Sequence, residues 1–111
     1  MSLNQVVISG RMGKDPEVRQ ISDSKSVVGF SLAVDDFYGG KKNTSWVYVE
    51  AWDKTAEVVG KLLSKGKRAA IVGRLREDTW EANGEKKSRL KVIADRVEVL
   101  DYPDDDDKAP F

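Results

Sequence analysis

WVYVEAWDKTAEVVGKLLSKG, Trp46 to Gly66, changes its hydrophobic period half-way along, from that of a strand to that of a helix. Up to Trp52 the residues alternate. Val47, Val49 and Ala51 fall on one side of an extended chain, and Trp46, Tyr48, Glu50 and Trp52 fall on the other. This predicts a strand over about Ser45 to Trp52. From Lys54 to Lys65 the spacing becomes helical, with Ala56, Val59, Leu62 and Leu63 in one stripe. Asp53 is placed to cap the helix by accepting from its free N–H groups. Gly66 is placed to stop it in the left-handed conformation.

On the N-terminal side, the pattern predicts a first strand over about Asn4 to Met12, carrying Val6, Val7 and Ile8. Gly10 and Gly13 permit a bend, Asp15-Pro16 marks a turn, and Glu17 to Ile21 resumes an extended path. A second strand, about Ser26 to Asp35, sets Val28, Phe30, Leu32 and Val34 on one face. Asp36 to Thr44 (DFYGGKKNT) reads as a polar, glycine-containing loop. Beyond the helix, a fourth strand runs from about Lys67 to Ala82 with a bend near Glu77. Asn83-Gly84 is a short-hairpin turn. A fifth strand returns from Glu85 to about Leu100, with a break or bulge near Ile93. Three strands, one helix and two strands match the OB-fold, an all-β, five-stranded Greek-key barrel that binds oligonucleotides.

Composition narrows the chemistry. The 111 residues suit a single domain. There is no Cys, which excludes disulfides and thiolate metal sites. There is no His, so the usual metal ligand and neutral-pH base are both missing. Carboxylate pairs such as Asp35-Asp36 stand without a Cys, a His or a phosphate loop, so an enzyme is not expected, and neither is a cofactor or a metal. No apolar run reaches membrane-spanning length and no signal peptide is visible, so the expectation is a cytoplasmic protein with no membrane partner.

Nineteen bases balance nineteen acids, but unevenly. Asp101 to Phe111 holds five acids and one base, a net −4, which leaves +4 on the first hundred residues. The expected organisation is a barrel over 1–100 and a short, disordered acidic tail over 101–111.

One face of a barrel strand meets the core, and Glu50 assigns Trp46, Tyr48 and Trp52 to the outside, because an unpaired buried carboxylate is costly. The fourth strand repeats the association: Ala69, Ile71, Gly73 and Leu75 share one face, and Arg68, Val72, Arg74, Arg76 and Trp80 share the other. Lys87, Arg89 and Lys91 alternate with Leu90 and Val92 on the fifth strand, and the loop adds Phe37, Tyr38, Lys41 and Lys42. Cations for phosphates interleaved with rings for unpaired bases form a stacking platform for a single strand. Two other readings stay open at this point: the rings are core, or a partner subunit covers them.

These segments resemble the bacterial single-stranded DNA-binding protein (SSB) family across essentially the whole chain. NQVVISGRMGKDPEVR (Asn4 to Arg19) is similar to its opening strand and G-x-D-P-E-x-R turn, Trp46 to Gly66 to its third strand and helix, and IVGRLREDTW (Ile71 to Trp80) to its G-x-L-x…W strand. The resemblance implies an OB-fold homotetramer that wraps single-stranded DNA without chemistry; a dimer stays open as the alternative assembly. It implies stacking by Tyr38 or Phe37, Trp46, Trp52 and Trp80. It implies phosphate contacts by Arg19, Lys54, Lys65 and Arg76. Lys41, Lys42 and Arg74 are further candidates. Glu77, Asp78 and Thr79 depart from the family, which is often basic near that Trp.

The acidic end, with Asp104, Asp105, Asp106 and Asp107 followed by Pro110-Phe111, resembles the family's tip, which implies docking on replication and repair proteins. Asp104 to Lys108 also spells an enteropeptidase recognition sequence, and Met1-Ser2-Leu3 is compatible with a cloning remnant. Two further functions compete with single-stranded DNA binding. One is an RNA-binding or primosome-type OB protein, since stacking and phosphate contacts serve both nucleic acids. The other is an oligomeric module whose Trp patch is a subunit interface.

Overall fold

A computed structural model describes residues 2–101 of the chain. The elements run β1 (Val6–Met12), β2 (Arg19–Ser22), β3 (Lys25–Tyr38), β4 (Lys41–Trp52), α1 (Asp53–Leu62), β5 (Arg68–Ala82) and β6 (Glu85–Val99). β1 pairs with both β3 and β5, β5 with β6, β6 with β4, and β4 with β3. Those pairings close a five-strand ring, the expected OB barrel. The short β2 is an extra edge on β3, formed where the sequence predicts an extended path. All the ladders are antiparallel except β4–β6, which is parallel and joins only Val49 to Val92 and Glu50 to Ile93.

The period-2 pattern sorts residues as expected. Leu32, Val49, Ala51 and Ile71 are completely buried inside the ring. The helical stripe closes the barrel: Ala56 and Val59 have no exposure, Leu63 is buried, and Leu62 packs against them. The reading that places the tryptophan rings in the core is therefore overturned, because the small residues of β4 occupy it.

Five local expectations change. Asp36 to Thr44 is not a loop. Phe37 pairs with Lys42 and Tyr38 with Lys41 across a two-residue turn, with Gly39 at φ 62° and Gly40 at φ 78°. Two consecutive positive φ values make the tight hairpin turn that suits strand twist, and glycine adopts both freely. Asn83 (φ 53°) and Gly84 (φ 80°) make the second such turn, as expected.

The helix spans Asp53–Leu62 rather than Lys54 to Lys65, and Asp53 does not cap it. The Asp53 carboxylate instead accepts from the Ser26 N–H at 3.0 Å, which ties the start of the helix to β3. Leu63 is already extended, so Gly66 (φ 86°) shapes the following turn rather than the helix end. Finally, β5 keeps its register against β6 past Glu77. The irregularity lies between Val72 and Gly73, whose partners Arg96 and Ala94 leave Asp95 as the extra residue of a bulge on β6, two positions beyond Ile93.

Both hairpins outrun the barrel as arms. Beyond its end the inward-facing parity meets solvent, which is why Leu75 and Leu90 are about half exposed or more. The residues of the expected partner-binding tail, Asp104, Asp105, Asp106, Asp107, Pro110 and Phe111, all lie outside the described residues.

Candidate nucleic-acid interface

Residues directly opposite in a ladder share a face. Trp52 pairs with Val27, Glu50 with Gly29, Tyr48 with Ser31 and Trp46 with Ala33. On the other side, Arg74 pairs with Ile93, Arg76 with Lys91, Asp78 with Arg89 and Trp80 with Lys87. The parallel β4–β6 junction sets these two sets side by side, so one outer surface of β4, β6 and β5 carries all three tryptophans. Trp46 is 63% exposed, Trp52 37% and Trp80 44%.

Each ring has a distinct seat. The Trp46 indole lies over Gly13, where a Cβ would stand 2.8 Å from its Cζ3. Trp52 walls a groove of about 440 Å³ that it shares with Lys25, Arg74, Arg76 and Ile93. Trp80 lies further out on the β5–β6 arm. Between the first two, Tyr48 lines a groove of about 300 Å³ with Lys14, Arg19 and Ser31.

The charges are arranged less simply than their spacing suggests. Arg76 makes no ion pair among the described residues, whereas Arg74 is 3.2 Å from Asp95. Lys91 is only 7% exposed and bridges Glu50 at 2.6 Å and Asp78 at 2.5 Å. Desolvation is the largest single influence on the Lys91 ammonium and lowers its pKa. The hydrogen bonds to Asp78 and Glu50, with their charges, outweigh it and raise the pKa above the usual lysine value. Lys91 thus supports the surface from beneath. Glu50, expected outside, is on the outer face but largely covered, because Trp52 Nε1 donates to its Oε2 at 2.6 Å.

The remaining candidates divide by place. Phe37 and Lys42 continue the Trp46 face along the β3–β4 arm by register, while Tyr38 and Lys41 take the opposite face. Arg19 reaches the Tyr48 groove. Lys54 borders Asp95 and Arg96 beyond Trp52. Lys65 follows the helix, its backbone N–H bonded at 2.8 Å to Asp15, which itself lines the Tyr48 groove. Sequence spacing does not single out Lys14, nor the Glu50–Lys91–Asp78 cluster. Asp101, counted with the acidic segment, bonds the backbone N–H and guanidinium of Arg68. Among the described residues no group of three acidic side chains could hold a metal ion.

A barrel with aromatic and cationic groups on one outer surface has close counterparts. Residues 3–100 match the model of the single-strand binding protein family. The chain belongs to that family.

Other members resemble it over most of its length. It is 37% identical over 102 residues to single-stranded DNA-binding protein 1 of Synechocystis sp., covering 91% of this chain and 84% of the relative. It is 32% identical over 109 residues to single-stranded DNA-binding protein 1 of Chlorobaculum tepidum, covering 92% and 67%. The solved Plasmodium falciparum SSB complex with ssDNA superposes with a TM-score of 0.82 at 27% identity, over 91% of this chain and 97% of that one.

Proposed function

We propose that this single-strand binding family member binds single-stranded DNA without strong sequence preference, by stacking bases on its tryptophans and neutralising phosphates with its arginines and lysines. The observation that carries this reading is the placement of Trp46, Trp52 and Trp80 on one outer surface with Arg76, Arg89 and Lys87. Ring faces attract any unpaired base, so the surface prefers single strands to duplex, in which bases are already stacked. The same fold in the Plasmodium falciparum complex with ssDNA supports this choice of ligand.

The roles that follow are binding without chemistry, protection of single strands in replication, recombination and repair, and a place in the bacterial cytoplasm at the nucleoid. Residues 1–100 are the binding domain, and the acidic residues 101–111 recruit replication and repair proteins. The working assembly is a homotetramer, with a dimer as the alternative.

Titration with oligo-dT of several lengths, with the mass of each complex measured, tests this. Saturable binding, strong tryptophan quenching and a length-dependent stoichiometry are expected. Intact oligomers that leave the fluorescence unchanged would return the Trp surface to a subunit contact. Tighter binding of oligo-rU would favour the RNA reading.

A further inference from the structure

The Glu50–Lys91 pair beneath Trp52 bridges β4 and β6, but joining two strands does not by itself call for buried charges. A buried cation between two carboxylates costs desolvation, and apolar side chains of the same size commonly hold strands as well. The members of the cluster come from three strands: Glu50 from β4, Asp78 from β5 and Lys91 from β6. They meet through Nζ of Lys91, which is 2.6 Å from Glu50 Oε1. The second Glu50 oxygen faces the other way and takes the Trp52 indole N–H at 2.6 Å. Trp52 is the last residue of β4 and more than a third exposed, so packing encloses its ring only in part. A fully satisfied polar network fixes geometry in a way an apolar contact does not.

We infer that Glu50 and Lys91 are positioning residues, which hold the Trp52 indole in a stacking orientation before any ligand arrives. The inference rests on the single-strand reading above. An indole held in place avoids the entropy cost of being immobilised by the ligand. Asp78 anchors the ammonium from β5, and the ammonium anchors the Glu50 carboxylate. The chain of contacts thus ends on the one ring atom that can donate a hydrogen bond.

A double-mutant cycle on oligo-dT affinity tests this, because replacing Trp52 by Phe keeps a stacking ring but removes the N–H. Glu50→Val also relieves a negative charge, an effect common to both backgrounds that cancels in the ratio. Relative to its effect in the Trp52→Phe chain, Glu50→Val is expected to weaken binding a further 3- to 10-fold in the Trp52 chain. Lys91→Met should behave alike, and Lys91→Arg should restore affinity. Fluorescence anisotropy decay of the free protein, with Trp46 and Trp80 changed to Phe, supplies the second readout: a fast indole motion should appear on Glu50→Val. If Glu50→Val does not fold, Glu50→Met, which is closer in length and also lacks an acceptor for the indole N–H, carries the same two measurements. Equal effects in the two backgrounds, or unchanged indole motion, would overturn the positioning role. Failure of the unaltered protein to bind oligo-dT would instead overturn the single-strand reading, and the anisotropy of the free protein would still decide the positioning question.

Discussion

The guanidinium carbon of Arg89 stands 4.1 Å from the centre of the Tyr48 ring. The far end of the same ring fits because residue 29 is glycine, where a Cβ would collide with the Tyr48 hydroxyl. The contact matters because the β4–β6 ladder joins only two residue pairs. Tyr48–Arg89 and Glu50–Lys91 extend the junction through side chains. Tyr48→Phe is expected to be nearly silent in thermal melts. Tyr48→Ala should lose at least the cation–π attraction, about 0.5–1 kcal/mol at an exposed site. Equal stability of both variants would show that Arg89 merely rests on the ring.

Trp46→Ala, Trp52→Ala and Trp80→Ala should each weaken oligo-dT binding by about 1–3 kcal/mol, the usual worth of one stacked base. Their melting temperatures should change little, since all three rings lie outside the core. Isothermal titration beside thermal melts separates the two effects. Wild-type affinity in all three would remove the platform assignment.

Arg76 lines the Trp52 groove with no ion pair of its own among the described residues, so its charge is available to a phosphate. Binding should fall with salt, and Arg76→Ala should make the log–log slope shallower by roughly 0.7, the single-strand value for one phosphate contact. Arg74→Ala should change it less, because Asp95 already shares that charge. The slopes come from fluorescence titrations at four or five salt concentrations.

The Arg68 hydrogen bonds pull the Asp101 carboxyl from its ordinary value down to about 2. A carboxyl whose pKa is depressed by folding stabilises the fold above its unfolded value, and that contribution is lost as pH falls through the folded one. The window is therefore about pH 4 down to pH 2. In urea melts, the advantage of the wild type over Asp101→Asn should be full at pH 5 and largely lost by pH 2. A constant difference across that range would mean the contact does not stabilise the fold.

Much of this molecule is legible in local pattern. The period-2 run through Val47, Val49 and Ala51 and the helical stripe through Val59 and Leu63 predict what is buried, because backbone geometry alone sets those periods. Gly39-Gly40 is as clear a turn signal as Asn83-Gly84. Its flanks hide it: DFY and KKNT face solvent on both sides, so no alternation marks them as strands. Asp53 misleads for a related reason. Its position beside the helix suggests a cap, but Ser26, 27 residues away in sequence, holds its carboxylate.

Local periodicity alone dictates which residues share a face, and hence that aromatic rings and cations stand together outside an apolar core. It also dictates the order of strands around the helix. Which faces adjoin, and thereby what each charge does, follows from the closed barrel and not from any one strand. Lys91 and Glu50 are 41 residues apart and meet because the closing barrel lays β6 parallel to β4. Spacing along a chain reports orientation, which is local. Pairing across a barrel reports adjacency, which depends on every strand at once, and it is adjacency that turns an apparent phosphate-binding lysine into a support for Trp52.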